Sequence, residues 1–200
     1  FHWYEINGVK PYYFQMDVCD GDIPTFDNDY HHKTYDVIFT GSCIPQGNRI
    51  KYLTEINKEI PVTIFSWNPE EWFKLGFKEC YSAVYGEEYN RLIAQSKIVL
   101  GFSVEPNCWG YWSNRVGKVL RVKGLLVYEY APGMESLPVI TFSSPEEAVI
   151  QIRQLLKEPV HLIEDGETDR WTSAYKVREL TRLMERYLKG DPSKWNKLPV

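Results

Sequence analysis

The 200-residue chain has no closely spaced cysteines, no long apolar run and no surplus of basic charge. Its four cysteines, Cys19, Cys43, Cys80 and Cys108, stand far apart. There is no CxxC pair and no His/Cys spacing of the kind that holds zinc. Scattered cysteines in a chain of this size read as reduced core thiols and give the expectation of a cytoplasmic protein. No run approaches the roughly 18–20 apolar residues that cross a bilayer, and no signal-peptide pattern is visible. The formal charge of −4 is the wrong sign for a general nucleic-acid surface. GxGxxG, a P-loop lysine, a nucleophile elbow and HExxH are all missing, so a dinucleotide dehydrogenase has no support. The chain opens at Phe1 and not at Met, which suits a processed or excised piece.

What is present is the composition of a globular domain, 44% apolar and 25% charged, with aromatics raised to 15%. The aromatics crowd the first segment and residues 100–112. Residues 1–34 show no helical period, and we read them as an aromatic extension or linker expected to pack against the domain. Its Asp20-Gly21-Asp22 and Asp27-Asn28-Asp29 spacings read as acidic turns and not as a metal site. The adjacent His31-His32 pair reads as solvated, because neighbouring side chains do not converge.

From Tyr35 onward, strand and helix signals alternate. Strands are expected near 36–41, 61–65, 97–102, 125–129 and 138–142, from apolar runs rich in β-branched residues. Helical periods fall between them: after Gly47, over 86–97, and over 113–123. "SSPEEAVIQIRQLLK" carries Ser144 as N-cap, Pro145 at the first helical position and Glu147 for a capping box. A last helix is expected over 169–188 and a tail over 191–200. Continuous apolar strands alternating with helices imply a parallel sheet covered on both faces. The expected fold is α/β, one doubly wound domain over 35–190.

In such sheets ligands bind beyond the carboxyl ends of the strands, where three turns are candidates. Gly41-Ser42 follows the first strand, and glycine there permits close backbone approach to an anion. Residues 103–115 form a long loop carrying Asn107, then Ser113 and Arg115. An arginine in a first helical turn opposes the helix dipole, a cost that a bound anion offsets, and its planar fork suits phosphate. "APGMES" brings Gly133 and Glu135 to the end of a later strand.

Over about 35–188 the chain resembles the C-terminal, donor-binding domain of two-domain (GT-B) glycosyltransferases. The branch is that of group 1 enzymes which includes the CgeB-like spore-maturation proteins. The residues that carry this are "YDVIFTGS", "VYGEEYNRLIAQSKIVLGFS", "GYWSNRVGKVLRVKGLLV" and "SSPEEAVIQIRQLL", in that order and spacing. The resemblance implies a Rossmann-like fold and a nucleotide diphosphate sugar as donor, with no cofactor or metal of its own. It implies that Arg115 lies near the phosphates with Ser113 ahead of it, and that Gly124 enters the next strand. One position departs. Where the family places a glutamate on the ribose hydroxyls this chain has Lys118, which cannot accept a hydrogen bond. Ribose recognition then has to change, to use Glu135, or to be lost.

The expectation is therefore a glycosyltransferase, or its donor half, acting on an unidentified acceptor. Residues 1–34 are too few for an acceptor domain, so a separate N-terminal domain or a partner chain is implied. The alternative is a non-catalytic nucleotide-binding or protein-interaction module of the same fold.

Overall fold

The computed structural model describes residues 33–158 apart from 46, 109, 110 and 136, together with 160, 178, 180–182 and 185. The aromatic extension, its acidic turns, His31-His32, Cys19, most of the helix expected over 169–188, and the tail lie outside the described residues. The domain limits drawn through them do too.

The core is a parallel sheet. Its strands are β1 (Tyr35–Thr40), β2 (Thr63–Ser66), β3 (Cys80–Ser82), β4 (Ser96–Gly101), β5 (Leu126–Glu129) and β6 (Ile140–Phe142). The connecting helices are α1 (Arg49–Glu59), α2 (Pro69–Lys74), α3 (Gly86–Ala94), α4 (Arg115–Arg121) and α5 (Pro145–Lys157). The strand order is β3-β2-β1-β4-β5-β6, and every pair is parallel.

Side chains alternate across each strand, and the two faces collect different helices. Val37, Phe39, Ile64, Leu100 and Val127 pack with Leu53 and Ile56 of α1, Trp72 of α2, and Ile152 of α5. Ile38, Phe65, Val99, Leu126 and Tyr128 pack with Ile93 of α3 and Val116, Val119 and Leu120 of α4. Helices thus cover both faces, and the sheet is doubly wound.

The sequence reading expects five strands, and the sheet has six. β3 is three residues long, partly exposed and at the edge, so it offers no buried run to recognise. The α3 helix ends at Ala94, and Ser96 and Lys97 already belong to β4. At α5 the Ser144 hydroxyl accepts from the Glu147 amide at 3.2 Å. The Glu147 carboxylate reaches back to the Ser143 amide at 2.7 Å, one residue earlier than a standard capping box. Cys43 and Cys80 are half-buried, but Cys108 is exposed on the loop after β4 and is not a core thiol.

The chain runs outward from β1 through β2 to β3, then returns to β4 on the other side of β1. In open parallel sheets such a reversal is where the ligand-binding crevice lies, here between the ends of β1 and β4.

Candidate functional site

Two arginines reach this crevice from opposite sides of the reversal. β1 ends at Thr40, and the chain turns at Gly41 with φ of 156°. A Cβ there would stand 2.8 Å from the Phe39 ring, so glycine is required by space as well as by conformation. Eight residues on, Arg49 opens α1 and folds back so that its Nη1 donates to the Ser42 carbonyl at 3.4 Å. Its guanidinium carbon lies 5.8 Å from the centroid of the Phe39 ring. Arg115 opens α4, and its guanidinium carbon lies 5.1 Å from the same centroid. Arg115 Nε donates to Thr40 Oγ1 at 3.2 Å, and Nη2 donates to the Thr40 carbonyl. Its remaining nitrogen, Nη1, is buried without a hydrogen-bond partner among the described residues.

Arg49 is only 8% exposed. Burial, and after it the charge of Arg115, push its pKa below the usual arginine range. A buried cation that feels a second cation is costly unless something negative joins them.

One negative group is already there. Glu129, the last residue of β5, is 3% exposed. Asn48, the residue before α1, donates its side-chain amide to Glu129 Oε1 at 2.7 Å. Burial pushes the Glu129 carboxyl above the usual range, while bonds from Asn48 and the Ser103 backbone and the charge of Arg49 pull it back. Its Oε2 is buried with no partner among the described residues.

The long loop after β4 is anchored by Tyr128 of β5. The Tyr128 hydroxyl accepts from the Ser113 amide at 3.0 Å and lies 3.3 Å from Ser103 Oγ. Ser103 Oγ in turn donates to the Tyr111 carbonyl at 3.1 Å. These bonds fix the approach to Arg115.

The site residues expected from sequence meet different fates. Arg115 and Gly41 come together: Arg115 Nη2 lies 3.3 Å from where a Gly41 Cβ would stand. The Gly41 amide, however, is bonded to the Phe65 carbonyl at 2.9 Å and continues the sheet, so it is not open to an anion. Ser42 contributes its carbonyl, to Arg49. Ser113 is not the cap of α4, because Asn114 holds that position. The Ser113 hydroxyl is buried without a partner among the described residues.

Lys118 stands one turn beyond Arg115, with its ammonium 5.5 Å from the centroid of Tyr89. The Tyr89 hydroxyl lies 3.3 Å from Thr40 Oγ1, the acceptor for Arg115. Gly133 has φ of 95°, but its amide donates to Glu135 at 3.3 Å. Glu135 also accepts from the Tyr130 hydroxyl at 2.6 Å, a bond that holds its carboxyl below the usual range. That turn satisfies itself. Asn107 is exposed on its loop and belongs to none of these bonds.

The sequence reading missed Arg49, Thr40, Tyr128 and Glu129. Arg49 carried the same signal as Arg115, an arginine in a first helical turn against the dipole. Glu129 carried another, a carboxylate closing an otherwise apolar strand. No group of three or more His, Cys, Asp or Glu among the described residues could hold a metal ion. No helix among them is long and apolar enough to cross a membrane.

Six parallel strands in this order, with charged groups gathered at the reversal, define a Rossmann-like α/β domain. The sequence model of a family described as glycosyl transferase-like matches residues 49–168, and the chain belongs to that family. Solved structures agree on the fold. The glycosyltransferase AviGT4, involved in avilamycin A biosynthesis, matches with a TM-score of 0.55 at 16% identity, over 80% of this chain and 53% of that one. An α1,3-fucosyltransferase with GDP matches with a TM-score of 0.53 at 14% identity, over 86% of this chain and 51% of that one. Sucrose-phosphate synthase from Thermosynechococcus elongatus matches with a TM-score of 0.53 at 10% identity, over 83% of this chain and 47% of that one. The chain therefore spans about half the length of these structures. No curated protein matches. The resemblance to GT-B glycosyltransferases read from the sequence holds.

Proposed function

We propose that this domain is the donor half of a glycosyltransferase and that the crevice between the β1 and β4 loops binds the diphosphate of a nucleotide sugar. The observation that carries this reading is that Arg49 and Arg115 both approach the Phe39 ring and feel each other's charge, with one Arg115 nitrogen buried and without a partner among the described residues. A diphosphate would neutralise the paired cations and supply the missing acceptor. The amino end of α1, whose first turn holds no acidic side chain, adds its dipole to the same side. In sugar transfer the diphosphate is the leaving group, and charge accumulates on it as the glycosidic bond breaks. Fixed guanidinium donors placed there stabilise that charge, and the proposal requires no metal. A fucosyltransferase of similar fold was solved with GDP, which supports a nucleotide diphosphate as the first ligand to try. The acceptor would be held by a further domain or a partner chain.

The departure at Lys118 favours a second reading, a nucleotide-binding module without transferase activity. Its ammonium sits against Tyr89 where the resemblance implies a carboxylate.

The test is calorimetric titration with UDP, GDP and their sugars. Losing a charged hydrogen bond costs about 1.5–3 kcal/mol, so Arg115→Ala should weaken binding roughly tenfold or more. Equal binding by wild type and variant refutes the site. Binding without transfer to any acceptor, in the presence of the other half, favours the second reading.

A further inference from the structure

Glu129 is out of place in a pocket built only for phosphate. A buried carboxylate near the Arg49 guanidinium repels an incoming anion and costs desolvation. Oε1 takes the Asn48 amide at 2.7 Å and so ties β5 to the start of α1, and the Ser103 backbone also acts on the carboxylate. The other oxygen, Oε2, is buried and has no partner among the described residues. The carboxylate stands at the carboxyl end of β5, on the face shared by Phe39 and α1, and it interacts electrostatically with Arg49. The crevice thus holds two kinds of recognition group: cations for an anion, and one buried acceptor for a donor. A neutral hydroxyl suits that acceptor, since positive charge is already supplied by Arg49.

We infer that Glu129 is a specificity-determining residue, whose Oε2 accepts a hydrogen bond from a hydroxyl of the bound ligand, either on the ribose or on the transferred sugar. The inference rests on the proposed diphosphate site and says what must be attached to the diphosphate. Ligands bearing both groups satisfy the crevice, and a bare anion leaves Oε2 unpaired. Recognition of this kind discriminates strongly, because the analogue lacking the hydroxyl strands a buried polar group.

The experiment compares wild type and Glu129→Gln. Glutamine keeps the size and an oxygen for Asn48, but it turns the free acceptor into a donor. Binding of inorganic pyrophosphate, UDP, GDP, their 2′-deoxy and 3′-deoxy forms, UDP-glucose and GDP-fucose is measured by calorimetry. The expected result is a loss of about tenfold or more for hydroxyl-bearing ligands, with pyrophosphate binding unchanged or tighter. A loss already seen with UDP or GDP, and absent for one deoxy form, assigns the hydroxyl to the ribose. A loss confined to the nucleotide sugars assigns it to the sugar.

Unchanged binding of every ligand, or an equal loss that includes pyrophosphate, overturns the inference while leaving an Arg115-dependent diphosphate site standing. If wild type binds none of these ligands, or if Arg115→Ala binds them as well as wild type, the diphosphate reading falls and the inference with it. Should the glutamine variant fail to fold, the wild-type comparison decides. Equal affinity for UDP and its deoxy forms, with no gain from either sugar, then overturns the inference.

Discussion

The Tyr128 ring fills the space that a side chain at Gly101 would need. The two residues face each other across β4 and β5 in register, and a Cβ on Gly101 would fall 2.0 Å from the Tyr128 ring. The missing side chain lets the ring lie flat on β4 and carry its hydroxyl to Ser103 and the Ser113 amide. Gly101→Ala should therefore cost about 1–3 kcal/mol as an overpacked core. It should also loosen the loop ahead of Arg115. Urea unfolding together with amide exchange at Ser113 checks both, and unchanged exchange with full stability contradicts the role given to the pair.

Removing only the hydroxyl separates anchoring from packing. Tyr128→Phe leaves the Ser113 amide without its acceptor, a loss of about 1–3 kcal/mol for a buried donor. Denaturant unfolding should show that loss, with Ser113 exchange accelerated and the core strands still protected.

Arg49 should matter to anions as Arg115 does. With Arg49→Gln the repulsion between the two guanidiniums disappears, so the folded protein should lose little stability. Pyrophosphate affinity should nevertheless fall about tenfold. Calorimetry on the variant gives the answer. Retained affinity would place the anion on Arg115 alone.

Glu129 makes stability depend on pH. Its folded-state pKa is raised, chiefly by burial, against the pull of Asn48, the Ser103 backbone and Arg49. The folded protein thus takes up this proton before the unfolded chain does. The contribution is fully present below the unfolded-state carboxylate value and is lost as pH rises through the raised one. Relative to wild type, Glu129→Gln should gain stability as pH rises from about 4 to 8. Thermal unfolding of both proteins across that range tests the sign, and a constant difference refutes it.

Lys118→Glu should raise affinity for UDP and GDP without raising it for pyrophosphate, if the surrounding pocket still accepts a ribose. Calorimetry on the variant decides. A parallel fall for all three ligands would make the change one of net charge alone.

Much of the fold was legible because burial leaves a pattern. β1, β4 and β5 are apolar runs buried on both faces, and Ser144-Pro145 marks the start of α5 on chemistry alone. β3 was not legible: with Tyr81 and Ser82 exposed it has no buried run, and only pairing with β2 makes it a strand. At the site, Arg115 was readable from its clash with the helix dipole. Glu129 showed only as a carboxylate closing an apolar strand, and its partner Asn48 lies far away in sequence and meets it only in the folded state. The turns at Gly41 and Gly133 were expected to face a ligand. Their amides are instead bonded to Phe65 and Glu135, partners that sequence does not announce.

The position of β1 has a consequence for how the protein is made. Among the described strands it is synthesised first, yet it lies inside the sheet, hydrogen-bonded to β2 on one side and to β4 on the other. Tyr35 cannot meet Ser96 until three helices and two other strands have been synthesised. Until then one edge of the apolar segment YDVIFT stays unpaired, open to association with other nascent chains. Completing the sheet is a long-range closure, slow by topology and not by chemistry. Synthesis speed over residues 40–96, and the chaperones present meanwhile, should therefore govern the yield of folded protein more than the strength of any single contact.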